Sequence, residues 1–202
     1  MLVDKIIKSP KGINRDIAAI LIIALVHIIV LWTGISRGMP IRDENLYISI
    51  PYRFMQGDSM FVDEWHISQI SAFLLYPIVK VYLNIVKSFD GIIISFRYIY
   101  LSVQLAAAVA GYCLIKNRGR AAAMLASIIY VLYVPYLIRA LSYNTIGLMT
   151  VWLIACLSLY DTKAMVRPIV IGLLYGVLVL CCPYTVLIYI IWLILKWIAR
   201  KK

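Results

Sequence analysis

The chain has 202 residues, of which 64% are hydrophobic and only 14% charged, with a formal net charge of +11. A soluble domain typically carries about 25% charged residues, so this composition excludes an ordinary soluble fold and indicates an all-α polytopic membrane protein. The positive charge does not point to nucleic acid, because Lys and Arg sit in short clusters between apolar runs, as juxtamembrane anchors do.

Residues 1–16 are a basic leader carrying Lys5, Lys8, Lys11 and Arg15. The apolar run 17–36 follows, and its length of about 20 residues fits a retained span better than a signal-peptide core of about 7–15, which also ends in a small-residue exit absent here. Residues 37–91 form a long loop. Apolar runs at 92–115, 121–140, 143–160, 168–182 and 184–199 then complete about six spans in one membrane domain over 1–202. Positively charged loops stay in the cytoplasm, which places Lys116/Arg118/Arg120, Lys163/Arg167 and Lys196/Arg200/Lys201/Lys202 inside. Both termini are therefore expected in the cytoplasm and the 37–91 loop outside a plasma membrane. Segment 66–87 is apolar, but a crossing there would invert everything after it. Lys80, Asn84 and Lys87 fall on one helical face, so the segment is predicted to lie in the outer interface with Pro77 as a kink. Pro183 disfavours helix at Cys182, and a break there turns 168–199 into a hairpin that returns the basic C-terminus inside. Cys113, Cys156, Cys181 and Cys182 lack CxxC spacing and read as small core residues.

The loop concentrates acid. Residues 42–66 hold Asp43, Glu44, Asp58, Asp63 and Glu64, five of the nine carboxylates in the chain, together with His66. Outer loops often carry acids, and a lone Asp at a helix N-terminus is favourable for the helix dipole alone. Two Asp-Glu pairs with a nearby His also suit chemistry. Asp43 or Glu44 is a candidate general base toward an acceptor hydroxyl. Glu64 and His66 are candidate ligands for a divalent metal ion, although their spacing points them apart on either a strand or a helix.

The order of features in this loop resembles the GT-C class of integral-membrane glycosyltransferases, in particular the protein O-mannosyltransferases and the bacterial aminoarabinose transferases of lipid A. The resemblance rests on Asp43-Glu44-Asn45-Leu46-Tyr47, Gly57-Asp58, Leu75-Tyr76-Pro77, Arg97 at the start of the next span, and Gly172-Leu173-Leu174-Tyr175-Gly176-Val177. It implies two interfacial helices in the first loop, a polyprenyl-phosphate-linked sugar as donor, and Asp43 as the base that activates the acceptor, with Glu44 beside it. Tyr47, Asp63, Arg97 and Arg139 are candidate substrate-binding residues. Ser142-Tyr143-Asn144-Thr145 and Cys181-Cys182-Pro183 depart from the family pattern, where an Asp and a Lys are usual. The chain would correspond to the N-terminal half of such an enzyme, and this raises the alternative of a non-catalytic partner for a complementary membrane chain.

Arg97 and Arg139 are expected near outer span ends, where guanidinium groups suit a lipid-linked phosphate and where long cationic side chains also simply snorkel. His27, amid Ile and Val, is expected to be a hydrogen-bonded core residue. A transporter would need inward-facing polar residues in the middle of several spans, which the sequence mostly lacks.

Overall fold

The computed structural model describes residues 10–32, 35, 43–66, 69–160 and 164–200; Lys5, Lys8, Arg37, Lys163, Lys201 and Lys202 lie outside this set. Among the described residues the fold is all-α, with eight α-helices: α1 Pro10–Leu31, α2 Asp43–Met55, α3 Gln69–Val86, α4 Ile92–Ile115, α5 Arg120–Leu132, α6 Tyr143–Leu159, α7 Val166–Cys181 and α8 Thr185–Arg200. Among the described residues three stretches are long and apolar enough to cross a membrane, Gly12–Leu31, Gln69–Val86 and Ile92–Arg118, and the second of these is the segment expected to lie in the interface. Three shorter apolar helices, α5, α6 and α7, accompany them.

The central element is α4, which packs against α1, α5 and α6, while α6 also packs against α7 and α2 packs against α3. Its 24 residues extend about 36 Å, and its buried side divides into two apolar clusters. Toward its start, Ile92, Phe96, Tyr100 and Leu101 join Leu31, Tyr47, Ile48, Leu75, Val79, Ile138, Ala140 and Leu141. Toward its end, Ala107, Ala108 and Tyr112 join Ala19, Ile23, Ala123, Tyr130, Val131 and Met149. Small residues in the second cluster let helices approach closely. A Cβ placed on Gly111 would sit 2.4 Å from the Trp152 indole, whose Nε1 donates to the Ala107 carbonyl at 3.0 Å.

Helix ends follow local chemistry. Gly57, at φ 105°, lies in the turn that follows α2, a backbone region in which an L side chain is strained. The break at Cys182-Pro183 is also present, with α7 ending at Cys181 and α8 starting at Thr185. One expected element is shorter than its apolar run. In place of a helix over 121–140, α5 stops at Leu132, and a single 3₁₀ turn, Pro135–Leu137, interrupts an otherwise irregular path to Ser142. Proline explains this: it drives Val134 into extended backbone (φ −107°, ψ 109°) and brings no N–H for a continuing helix. Cys156, Cys181 and Cys182 are buried as expected, whereas Cys113 is exposed.

Candidate functional site

The acidic loop is one cluster in the sequence and two in space. α2 separates them: Asp43 is its first residue, and Arg53, near its other end, lies about 15 Å further along the helix axis.

At the Asp43 end the feature that organises the site is a buried ion pair. Arg97 Nε and Nη2 donate to Glu44 Oε2 at 3.1 and 2.5 Å, and Nη1 donates to the Ile35 carbonyl at 2.7 Å. Arg97 is 4% exposed and Glu44 1%, so this pair is shielded from solvent by protein on all sides. Its geometry assigns Arg97 to Glu44 and takes the Glu44 carboxylate away from acceptor chemistry, since its Oε2 already neutralises a guanidinium. Glu44 Oε1 has no hydrogen-bond partner among the described residues. Tyr47, one turn further along α2, is buried with its ring edge-on to Tyr143 at 5.7 Å. The segment Ile138–Leu141 joins the same apolar cluster and carries half-buried Arg139, for which the described residues supply no hydrogen bond or ion pair. Of the residues singled out in the sequence, Glu44, Tyr47, Arg97 and Arg139 are thus gathered around the start of α4. The Asp43 backbone opens α2 beside them, and its side chain lies outside the described residues.

At the other end of α2, Arg53 gathers the remaining acids. Its Nε donates to Asp58 Oδ2 and its Nη1 to Glu64 Oε2, both at 2.5 Å, and its Nη2 donates to the Asp63 carbonyl at 2.9 Å. Asp63 Oδ2 accepts from the Ser59 amide at 2.8 Å, and Glu64 Oε1 accepts from the His66 amide at 2.8 Å. These carboxylates fold the loop onto itself. Both oxygens of Glu64 are engaged, and among the described residues no three His, Cys, Asp or Glu side chains converge as a metal shell. The donor set around Glu64 and His66 therefore does not fit a divalent ion. A pocket of about 340 Å³ lies here, lined by Phe54, Asp58, Met60, Phe73 and Tyr76. It is separated from Asp43 by nearly the length of α2.

Sequence reasoning missed one buried polar grouping and the partners in another. Asp16 on α1, 6% exposed, accepts from Lys116 Nζ at 2.6 Å, Arg120 Nε at 3.0 Å and the Tyr112 hydroxyl at 3.0 Å, and so clasps α1 to the end of α4 and the start of α5. The signal was present, since Asp16 is a carboxylate set among the cations of the leader. In the second grouping, His27 Nε2 lies 3.2 Å from Gln104 Oε1, and Gln104 Nε2 donates to the Val131 carbonyl at 3.4 Å. His27 is the hydrogen-bonded core histidine expected. The shortage of inward-facing polar residues is not found, because Gln104, Ser127 and Tyr130 are buried on α4 and α5. Their polarity is hidden in the sequence by apolar neighbours. The departure at Ser142–Thr145 is accounted for by a capping box: the Ser142 hydroxyl accepts from the Thr145 amide at 3.2 Å and the Ser142 amide donates to Thr145 Oγ1 at 2.9 Å.

No family model, curated protein or solved structure matches the chain.

Proposed function

We propose that this chain is a membrane glycosyltransferase, or the N-terminal module of one, that moves a sugar from a polyprenyl phosphate to an acceptor at the extracytoplasmic face of the plasma membrane. The observation that carries the reading is the arrangement at the start of α4. Asp43 opens α2 next to a Glu44 already held by Arg97, and Arg139 has no anionic partner among the described residues. In this division of labour Glu44 and Arg97 position α2, Asp43 is the base, and Arg139 is the cation for the donor phosphate. The acceptor oxygen attacks the anomeric carbon as the bond from that carbon to the phosphate oxygen breaks. The electron pair leaves with polyprenyl phosphate, the acceptor proton passes to the Asp43 carboxylate, and the anomeric configuration inverts.

In the proposed topology α1 and α4–α8 are six spans with both ends in the cytoplasm, and α2 and α3 lie at the outer surface. Two features of α3 support its interfacial position. It contributes Leu75 and Val79 to the cluster at the start of α4 and nothing to the cluster at its other end, and Lys80 and Asn84 are exposed together. The test is transfer of radiolabelled sugar from a polyprenyl phosphate by the protein in lipid vesicles. Asp43→Asn is expected to abolish transfer, with α-helical content and thermal midpoint unchanged, and full activity in that variant would remove Asp43 from the role of base.

A second reading, a non-catalytic partner for a complementary membrane chain, is favoured by one observation on α7. Gly172 and Gly176 are spaced as in a close-packing helix interface, yet a Cβ on either meets nothing within 4 Å. Under this reading the isolated protein transfers no sugar, and Gly176→Ile weakens its co-purification with a second membrane chain.

A further inference from the structure

We propose that α1, α4 and α5 enclose an internal water-binding site, built from His27, Gln104, Ser127 and Tyr130. Among the described residues, three buried side-chain atoms here lack any protein hydrogen-bond partner: His27 Nδ1, Ser127 Oγ and Tyr130 Oη. His27, Gln104 and Ser127 are 0% exposed and Tyr130 is 5% exposed. Buried polar groups almost always have a partner, and in membrane interiors an unmet one is especially costly.

The chemistry of the three atoms is complementary through water. Gln104 donates through its amide nitrogen to the Val131 carbonyl, so its oxygen faces His27 as an acceptor. His27 therefore carries its proton on Nε2, and in the neutral ring Nδ1 is an acceptor in need of a donor. The Ser127 and Tyr130 hydroxyls can each donate or accept. Both belong to the stretch of α5 that Gln104 reaches: the carbonyl it bonds is that of Val131, which directly follows Tyr130 and lies one helical turn beyond Ser127. A water that donates to His27 Nδ1 and accepts from a hydroxyl of α5 meets the usual requirement of two to four polar partners. The hydrocarbon chains of lipid offer no such group, and an apolar ligand would leave all three atoms unmet.

The Tyr130 ring is held independently of its hydroxyl. It stacks on Trp152 with centroids 4.9 Å apart and planes within 8°. Removing the oxygen alone is therefore a clean perturbation.

The chain has two histidines, so His66→Gln leaves His27 as the single imidazole. Solid-state NMR of this variant, with ¹⁵N-histidine in lipid vesicles, reads the transfer of magnetisation from water to the ring. The expected result is transfer to the His27 ring at short mixing times, despite its burial; an imidazole signal with no transfer from water overturns the site. Tyr130→Phe and Ser127→Ala supply the second measurement. If the hydroxyls bind water, each variant lowers the thermal midpoint by about 2–4 °C, the shift expected when a chain of this size loses one such interaction. If they are idle, apolar replacement leaves the midpoint unchanged or raises it, and that outcome also overturns the proposal.

Discussion

Glu44 and Arg97 show how a charged pair is tolerated in the interior of the protein. Each alone would be costly to remove from water, and the cost is offset by a pair of charge-assisted contacts and by the Ile35 carbonyl, which takes a further guanidinium proton. Breaking such a pair from one side leaves an uncompensated buried charge and costs about 3–5 kcal/mol, whereas replacing both partners by apolar groups is often nearly neutral. Glu44→Leu and Arg97→Leu are therefore each expected to lower the thermal midpoint in lipid nanodiscs strongly, and the double variant is expected to recover much of the loss. Additive losses in the double variant would contradict the pairing. Arg53 is a different case. It is 43% exposed, so its links to Asp58 and Glu64 are screened by water and shape the loop more than they stabilise the protein.

Among the elements, the contact between α4 and α6 is the tightest that the glycines reveal. The Trp152 indole cannot easily retreat from Gly111, because it is stacked on Tyr130 and hydrogen-bonded to the Ala107 carbonyl. Gly111→Ala adds a methyl where only 2.4 Å is available. Overpacking of this kind costs about 1–3 kcal/mol, outweighing the helix propensity gained, so the variant is expected to unfold at a lower temperature than wild type and Gly111→Ala/Trp152→Ala to be relieved of the clash. Helix limits were largely legible in the sequence where apolar length and proline agree: α3 and α6 lie close to their runs, and Pro183 marks the α7–α8 break. α5 was misjudged because Pro135 sits among Val, Tyr, Leu and Ile, and hydropathy continues where backbone hydrogen bonding does not. The site was legible only in part. Asp43-Glu44 stood out as a pair, but the Glu44 partner is 53 positions away, and no local pattern announces a contact at that separation. The acids at 58–64 are legible by their density, whereas nothing in the sequence marks Arg53 as the cation that gathers them.

For the whole molecule, two ionic clusters mark opposite ends of α4: Glu44 with Arg97 near its start, Asp16 with Lys116, Arg120 and Tyr112 near its end. With α4 about 36 Å long, these ends are far enough apart to lie at opposite membrane surfaces, as the proposed topology requires. In a Cys113→Ala background, which removes the exposed thiol, a cysteine introduced at Ser59 is expected to react with a membrane-impermeant maleimide on intact cells. One introduced at Asn117 is expected to react only after the membrane is opened. Labelling of both from the same side would overturn the proposed topology.

The Asp16 clasp also bears on how the chain is assembled. Its partners follow it by 96 to 104 residues, so α1 emerges from the ribosome with a carboxylate that has none of these three companions until α4 and the start of α5 have been made. A carboxylate resists entry into the hydrocarbon region, so the acid at the start of α1 disfavours insertion of that helix beyond residue 16. The contacts to Lys116, Arg120 and Tyr112 join this acid to the end of α4 and the start of α5. One acidic residue thus ties the first helix to chain made 96 to 104 residues later, a latch that closes only when the middle of the sequence has been synthesised.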